Sequence, residues 1–370
     1  MVEDTSLVQA ASSVAGAGLK GVEFETLRGD TAAAGPDDGA GDDAVAARSE
    51  AAARPAARQS ISVVIPTLNA GTGFRHLCRH LQLVGERYDL EVLVIDSDSR
   101  DGTPELAERA GFRVHRIDPA EFGHGRTRNL GVRLTSGDIV CFLTQDVLPC
   151  TPDWPERFAA ALSEPGVAGV YGRQVPRDAT TMEMFFVSVN YPEHRIRFDP
   201  RPGGYHPTPG RVLFSNAFSA VRRDVALEIP IPVDAVYSED QLWAHRVLAN
   251  GYSILYEPAA EALHAHRYSF GDLFRRSYSI GRALRTAGID GGASFGESVR
   301  FLAEELRYFM RQGHVHRLPK LLPYEFLRWA GFQVGRRSVA GKRSSAGRFE
   351  RERAATAGRS DGMARARVRS

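Results

Sequence analysis

The chain has 370 residues, of which 43% are hydrophobic and 25% charged, and its formal net charge is +2. This composition is ordinary for a soluble globular protein of two or three domains. The sequence has no run approaching the ~18 unbroken apolar residues of a membrane-spanning helix. It also lacks the basic start and apolar run of a secretory signal.

The charge is unevenly distributed along the chain. Residues 1–58 carry ten acidic and five basic side chains and few large apolar ones, so we expect this segment to be mostly disordered. Residues 336–370 carry eleven basic and three acidic side chains. Such a tail is either disordered and solvated or attracted to an anionic surface, which could be a membrane or a nucleic acid.

The three cysteines, Cys78, Cys141 and Cys150, show no metal-ligand spacing. An odd number of cysteines without such spacing is typical of buried thiols in a reducing compartment. This favours a cytoplasmic location.

Strands and helices alternate between residues 60 and 150. Apolar, β-branched runs predict strands at 60–65, 90–95, 112–117 and 139–143. Helical spacing predicts helices between them, at 74–84, from Thr103 onward, and through 130–134. This β-α order implies an α/β fold, a mostly parallel sheet with helices on both faces. Neither a G-x-G-x-x-G nor a G-x-x-x-x-G-K motif is present.

The pattern changes after residue 150. Further strands are predicted at 167–171, 214–221 and 252–256, and residues 172–212 show no periodicity and are interpreted as a long loop or lid. A helix begins after Ser238, and the chain is helical beyond residue 270. Residues 270–285 mix aromatic and arginine side chains, which fits either a helix on a membrane surface or an ordinary packed helix.

Polar side chains follow the predicted parallel strands at the point where each strand ends. Asn69, Asp96 and Asp146 would meet at the carboxyl edge of the sheet, where open α/β sheets bind ligands. Asp96 could accept a hydrogen bond from the imide N–H of a pyrimidine. Asp146 could hold a divalent metal on a diphosphate, or it could merely cap the following helix. Asp98 is a further candidate at this edge, whereas Asp101 fits turn chemistry.

Positive and metal-binding groups could complete such a site. Arg126 and Arg128 lie in a glycine-rich loop that runs into a helix, which is a favourable place for phosphates. His264 and His266 alternate on an extended segment, so at most one of them is expected to meet the metal.

Glu239 and Asp240 are adjacent carboxylates at a predicted helix start. They are the best candidates for a general base, since one can deprotonate an acceptor hydroxyl while the other orients it. The alternative is simple stabilisation of the helix N-terminus, worth ~0.3–1 kcal/mol each.

Seven short motifs in order carry a resemblance to a known family. They are Val64-Ile65-Pro66-Thr67-Leu68-Asn69, Ile95 to Thr103, Phe122 to Gly131, Leu143-Thr144-Gln145-Asp146, Ser215-Asn216, Ser238-Glu239-Asp240-Gln241, and His264 to Ser269. On these motifs, residues 60–285 resemble a family-2 inverting glycosyltransferase of the GT-A fold. The loop Phe122 to Gly131 and the Thr-Gln-Asp motif are similar to the bacterial rhamnosyltransferase-like members.

The resemblance implies roles for individual residues. Those expected to bind the nucleotide-sugar are Pro66, Thr67, Asn69, Asp96, Asp98, Arg126, Arg128, Asn129 and Gln145. Asp146 and a histidine, His264 or His266, would hold Mg²⁺ or Mn²⁺, and Asp240 would be the base. Thr144 departs from the family pattern, which has an aspartate there, and so removes one metal ligand.

The resemblance also implies an architecture and a reaction. We expect a disordered segment 1–58, a GT-A domain over 59–285, a helical extension over 286–335 and a basic disordered tail over 336–370. We expect transfer of a sugar, L-rhamnose from dTDP-L-rhamnose, to a glycan or lipid-linked glycan acceptor. Contact with the inner face of the membrane would be peripheral.

Other classes of function are open to the same sequence. A protein of this fold could bind a nucleotide-sugar or a partner without turnover, although having both Asp146 and Asp240 favours an enzyme. Nucleic-acid binding by the tail is not expected, because the tail lacks interleaved aromatic residues for stacking. An active enzyme would have Asp146 and Asp240 facing each other across a sugar-sized gap.

Overall fold

A computed structural model describes residues 59–176, 184–200, 213–233, 238–264, 268–286 and 295–339. The predicted disordered segment 1–58 and the tail beyond residue 339 lie outside the described residues, as does His266.

A single mixed sheet organises the first part of the chain. Nine strands of the described residues join it in the order β3-β2-β1-β4-β8-β6-β9-β5, and β7 also pairs with β9. The strands are β1 Ile61–Thr67, β2 Leu90–Asp96, β3 Arg113–Arg116, β4 Ile139–Leu143, β5 Leu148–Pro149, β6 Val167–Val175, β7 Ile196–Phe198, β8 Phe218–Arg222 and β9 Ser253–Leu263.

Helices connect the strands and form the C-terminal part. They are α1 Gly73–Gly85, α2 Thr103–Arg109, α3 His124–Leu134, α4 Trp154–Leu162, α5 Met184–Asn190, α6 Arg223–Glu228, α7 Glu239–Ala249, α8 Phe270–Thr286, α9 Phe295–Arg311 and α10 Leu318–Ser338. Two 3₁₀ turns, Pro119–Glu121 and Val315–Arg317, complete the described elements.

The parallel half of the sheet positions the candidate site. β1 runs parallel to both β2 and β4, and β2 runs parallel to β3. In this register Thr67 lies opposite Asp96. The polar residues that follow β1, β2 and β4 therefore emerge at one edge, as the strand-end pattern predicts. β8 then runs antiparallel to β4 and β6.

The strands at the core of the sheet consist of apolar runs because helices cover both faces of the sheet and bury their side chains. All five residues of β4 are buried, and α1 buries the residues that recur at helical spacing. Trp154 and Phe158 of α4 pack on Phe218 of β8, with ring centroids 5.6 Å and 4.9 Å away. Burying side chains of this size stabilises the fold by about 1.5–3 kcal/mol each.

Most predicted elements are confirmed, and two need correction. Residues 172–212 do not form one long loop: β6 continues to Val175, and α5 and β7 lie within this stretch. The strand predicted at 214–221 begins only at Phe218. Short elements in aromatic-rich sequence lack the repeats from which a period can be recognised.

The C-terminal helices belong to a second compact unit, which includes the residues from Tyr268 on. Glycines permit α8 and α10 to pack closely: a Cβ on Gly335 would lie 2.0 Å from the Tyr278 carbonyl oxygen. Helix α8 is thus an ordinary packed helix, whereas the domain boundaries expected at residues 285 and 335 stay predictions. Helix α10 ends at Ser338.

Two further sequence expectations concern single features. Cys78, Cys141 and Cys150 are free thiols, and burial raises the pKa of Cys78 to about 11. In the described part of the chain, no helix combines the length and the apolar character needed to cross a bilayer.

Candidate active site

Asp96 is the hydrogen-bonding centre of the loops that follow β1 and β2. It is 1% exposed, and its Oδ2 accepts from the hydroxyls of Thr67 (2.7 Å) and Ser99 (2.6 Å). Its Oδ1 accepts from the Ser99 backbone N–H at 2.9 Å. A carboxylate oxygen has two lone pairs, so Oδ1 keeps capacity for one more donor. The imide N–H of a pyrimidine remains a prediction for that position.

The loop after β1 is held by two neighbouring loops. Gln145 accepts from the Leu68 N–H at 2.8 Å and donates to the Leu68 carbonyl at 3.1 Å. Asn69 adopts a left-handed conformation with φ 46°, and its side-chain oxygen accepts from the Arg100 N–H. Gln145 therefore acts as a clamp that fixes the shape of the loop, while Pro66 is half-buried within β1.

Asp146 occupies a turn between β4 and β5. The N-cap of α4 is Asp153, so the alternative in which Asp146 caps that helix is excluded. The turn is fixed by two backbone hydrogen bonds, from Thr144 N–H to Ala217 and from Val147 N–H to Thr144. The Asp146 side chain is 43% exposed. It is thus a carboxylate on a rigid turn at the edge of the sheet.

His264, just after β9, meets Asp146 in space. Its Nε2 lies 3.7 Å from Asp146 Oδ1, and its Nδ1 lies 2.7 Å from Gln174 Oε1. An amide oxygen can only accept, so Nδ1 carries the proton. In a neutral ring, Nε2 then presents its lone pair towards the Asp146 carboxylate. Two electron donors facing each other fit a cation between them, or a proton on Nε2.

The donor set here is small for a metal site. Within the ranges the structure describes, no three His, Cys, Asp or Glu side chains gather as metal ligands. Asp146 and His264 supply two donors of the types that Mg²⁺ or Mn²⁺ accepts. The Thr144 hydroxyl, at the position of the missing aspartate, is buried and has no hydrogen-bond partner among the described residues. A metal held by two side chains would need the remaining ligands from the diphosphate and water.

The glycine- and arginine-rich loop becomes the start of α3. A Cβ on Gly125 would lie 2.1 Å from the Pro232 carbonyl oxygen, so only glycine fits this approach. Asn129 donates to the Ile231 carbonyl at 2.7 Å and accepts from the Ile231 N–H at 2.9 Å. Both ends of its amide bond to the backbone of Ile231, which makes Asn129 an anchor for this segment. This arrangement does not favour direct contact between Asn129 and the nucleotide-sugar.

The two arginines of this loop differ in exposure. Arg126 is exposed, whereas Arg128 is 3% exposed and donates to the His124 carbonyl. Arg126 is therefore the one that a phosphate in solvent could reach directly. Arg128 contributes its charge from within the protein.

The remaining strand-end acids play different parts. The Asp98 side chain is 57% exposed and lies 3.4 Å from Arg100. The backbone of Asp98 is left-handed, with φ 67°. Asp101 accepts from the Thr103 hydroxyl and from the Gly71 N–H, as turn chemistry predicts. The hydrogen bond from Thr103 holds the pKa of the Asp101 carboxyl below its ordinary value.

Glu239 and Asp240 form the first turn of α7, as predicted. Glu239 is buried, whereas Asp240 is half-buried. Asp240 Oδ1 accepts from the Gln241 N–H at 2.8 Å. Ser238, which precedes them, has a φ of 65°. Of the two residues, Asp240 is the more accessible. That Asp240 faces Asp146 across a sugar-sized gap stays a prediction.

Sequence reasoning missed Gln174. It lies near the end of β6, is 5% exposed, and belongs to a strand that pairs in parallel with β9. The available signal was a glutamine within a strand of small and apolar residues, because a polar side chain buried there needs a partner. The identity of that partner depends on the pairing of β6 with β9.

A comparison with protein families matches residues 62–228 to the family described as glycosyl transferase family 2. Two curated relatives match over most of their length. The O-antigen chain rhamnosyltransferase RfbN of Salmonella typhimurium is 30% identical over 288 residues, which cover 75% of this chain and 89% of the relative. The O-antigen chain rhamnosyltransferase WbaN of Salmonella anatum is 28% identical over 286 residues, with the same coverage.

A solved structure supports the fold. The mannosyltransferase PcManGT from Pyrobaculum calidifontis, in complex with GDP-Man and Mn²⁺, aligns with a TM-score of 0.51 and 18% identity. The alignment covers 79% of this chain and 95% of that chain. The predicted GT-A type α/β fold is thereby confirmed.

Proposed function

We propose that this chain, which belongs to glycosyl transferase family 2 and is a glycosyltransferase, transfers L-rhamnose. The donor would be dTDP-L-rhamnose, and transfer would invert the anomeric configuration. The acceptor would be a hydroxyl of a cell-surface glycan or of a lipid-linked glycan. The choice of rhamnose is supported by the two O-antigen rhamnosyltransferases, each matched over 89% of its length. The observation that supports a nucleoside-diphosphate sugar as the donor substrate is the Asp146–His264 pair at the carboxyl edge of the sheet.

Asp146 and His264 would hold a divalent cation, Mg²⁺ or Mn²⁺, and a cation bound there would neutralise the charge of the departing diphosphate. Gln174 keeps the proton of His264 on Nδ1, so that Nε2 can act as a ligand. Arg126, exposed at the start of α3, would add positive charge for the phosphates. Asp96 and the loop it organises would receive the nucleoside.

Asp240 would remove the proton from the acceptor hydroxyl, and the oxygen would then attack the anomeric carbon. The bond to the diphosphate breaks on the opposite face, so the product from dTDP-L-rhamnose would be the α-rhamnoside. Asp240 is preferred over Glu239 because its carboxylate is half-buried and that of Glu239 is buried. Glu239 would orient the acceptor or stabilise the helix start.

Asp240→Asn tests the base. Because the amide cannot accept a proton, we expect the rate of sugar transfer to fall about 10²–10⁴-fold, while the thermal shift produced by dTDP stays that of the wild type. Glu105→Gln, which also removes an acid from the first turn of a helix, is the matched control and should retain activity. Transfer by Asp240→Asn near the wild-type rate would show that another group is the base.

A thermal-shift screen tests the donor. Nucleoside diphosphates and nucleotide-sugars are compared with and without Mg²⁺ or Mn²⁺, and dTDP compounds should stabilise the protein more than UDP or GDP compounds. NMR of the purified product then gives the anomeric configuration. Preference for UDP or GDP compounds would refute the rhamnose donor and leave the family membership untouched.

We further propose that the enzyme works at the inner face of the membrane, as a lipid-linked acceptor would require.

A further inference from the structure

Helix α10 has one face packed within the C-terminal unit. Leu321, Tyr324, Gly331 and Gly335 are buried on this face. The packing is close, since a Cβ on Gly331 would lie 2.6 Å from the Phe274 carbonyl oxygen of α8. This face accounts for the small residues of α10.

The opposite face of α10 carries three large apolar side chains that are exposed. We name Leu322, Phe326 and Trp329 the α10 stripe; they are 53%, 61% and 38% exposed. At 3.6 residues per turn they lie within about 60° of one another. The rings of Phe326 and Trp329 are neighbours, with centroids 6.2 Å apart and planes tilted by 37°. Single exposed apolar residues are ordinary, but a contiguous row marks an interaction surface.

Positive charge lies beyond the C-terminal end of the α10 stripe. Arg336 and Arg337 follow it in the last turn of the helix, on the same side as the stripe. The described residues 295–339 carry eight Lys and Arg side chains against four Glu. The 31 residues that follow add nine basic and three acidic side chains from the same end of α10. The partner of this surface should therefore be both apolar and anionic.

We propose that the α10 stripe docks the enzyme on an anionic lipid bilayer. Leucine and aromatic side chains would enter the boundary between headgroups and acyl chains, while the basic residues would contact acidic headgroups. A second copy of the chain fits less well. Three half-exposed side chains of this size present on the order of 300 Å², against the roughly 800 Å² per partner of a stable interface.

Docking on a bilayer deepens the proposed function. It rests on that function in one respect: docking would bring the enzyme to a lipid-linked acceptor. The vesicle experiment below uses neither donor nor acceptor. Failure of the rhamnose proposal would therefore leave its result unchanged, and failure of docking would leave transfer to a water-soluble acceptor intact.

Trp329 serves as its own reporter. The chain has three tryptophans, of which Trp154 and Trp243 are buried at 0% and 1% exposure. Full-length protein is mixed with vesicles of phosphatidylcholine, with or without 30 mol% phosphatidylglycerol as a chosen test composition (about one-third anionic, to attract basic residues). We expect a blue shift of the fluorescence, and quenching by brominated acyl chains, with the anionic vesicles.

Variants locate the surface. Leu322→Gln combined with Phe326→Ser keeps Trp329 and should reduce cosedimentation with anionic vesicles at least about tenfold, since two inserted side chains are lost. Arg336→Gln with Arg337→Gln should weaken binding several-fold and lower its salt dependence. Leu83→Gln with Leu227→Gln replaces leucines of similar exposure, 53% and 45%, and should bind like wild type.

Three outcomes would overturn the proposal. The first is no binding of the wild type to anionic vesicles. The second is equal binding by the Leu322→Gln, Phe326→Ser variant, whose folding is checked by circular dichroism. The third is a dimer in sedimentation equilibrium that this variant dissociates, without any vesicle binding, which would assign the α10 stripe to a second copy.

Discussion

At the scale of single residues, the candidate site depends on hydrogen bonds that hold its loops and side chains in place. Gln174 accepts a hydrogen bond from Nδ1 of His264, and Gln145 clamps the loop after β1. Asp96 is saturated on one oxygen and open for one more hydrogen bond on the other. Where these hydrogen bonds are buried, as those of Thr67 to Asp96 and of His264 to Gln174 are, positioning is strict because an unmade one costs about 1–3 kcal/mol.

Gln174→Leu should weaken the metal site. Without the acceptor, the His264 ring is free to take the other tautomer, so we expect the apparent affinity for Mn²⁺ to fall about 10–100-fold. Titration of Mn²⁺ in the presence of dTDP, followed by thermal shift, measures this affinity.

Two variants bracket that result. Gln174→Glu keeps an acceptor opposite Nδ1 and should retain affinity near that of wild type. Asp146→Asn removes a proposed ligand and should abolish the effect of Mn²⁺. If Gln174→Leu titrates like wild type, then Nδ1 of His264 does not govern the metal.

At the scale of elements, glycine determines how closely helices can pack. Gly125 lets α3 begin against the Pro232 carbonyl, and Gly281, Gly331 and Gly335 let α8 and α10 cross with backbone in contact. A helix that packs through glycine on one face can leave its large apolar residues on the other face. That is why α10 combines a buried face with the α10 stripe.

Gly335→Ala should separate the two helices. The new Cβ would lie 2.0 Å from the Tyr278 backbone oxygen, which cannot move alone. We expect the free energy of unfolding of the C-terminal unit to fall by about 1–3 kcal/mol, measured by denaturant unfolding monitored through Trp329. Gly271→Ala adds a methyl group to α8 where the nearest atom is 3.9 Å away. It should not destabilise, and equal loss in both variants would contradict the packing argument.

At the scale of the whole molecule, buried histidines make stability depend on pH. Burial lowers the pKa of His245 to about 4, from an ordinary value near 6.5. The unfolded chain takes up this proton as pH falls below about 6.5, whereas the folded chain takes it up only near 4. Stability is therefore full above the unfolded pKa and is lost as the pH falls towards 4.

Between pH 7 and pH 5, His245 alone should cost about 2 kcal/mol of folding free energy. Burial also lowers the pKa of His80, which accepts a hydrogen bond from the Trp154 indole, to about 4. His80 is only half-buried, so we expect less from it. Denaturant unfolding at pH 7, 6 and 5 should show a shallower decline for His245→Gln than for wild type, and identical slopes would contradict the assignment.

The amino-acid sequence by itself determined the alternation of strands and helices up to residue 150, because apolar periodicity is local. It also placed Asp96 and Asp146 at strand ends and Glu239 and Asp240 at a helix start. Short elements such as β7 were missed, since three residues show no period.

Only the tertiary structure decided which partners the polar residues have. Asn129 bonds the backbone of Ile231, and His264 bonds Gln174, across about a hundred residues of sequence. These pairings follow from the order and register of the strands. The same pattern of apolar and polar residues is compatible with other orders and registers, so the pattern alone does not determine the pairings. Likewise, an apolar residue of α10 is buried or exposed according to where α8 lies, because burial is a property of neighbours in space.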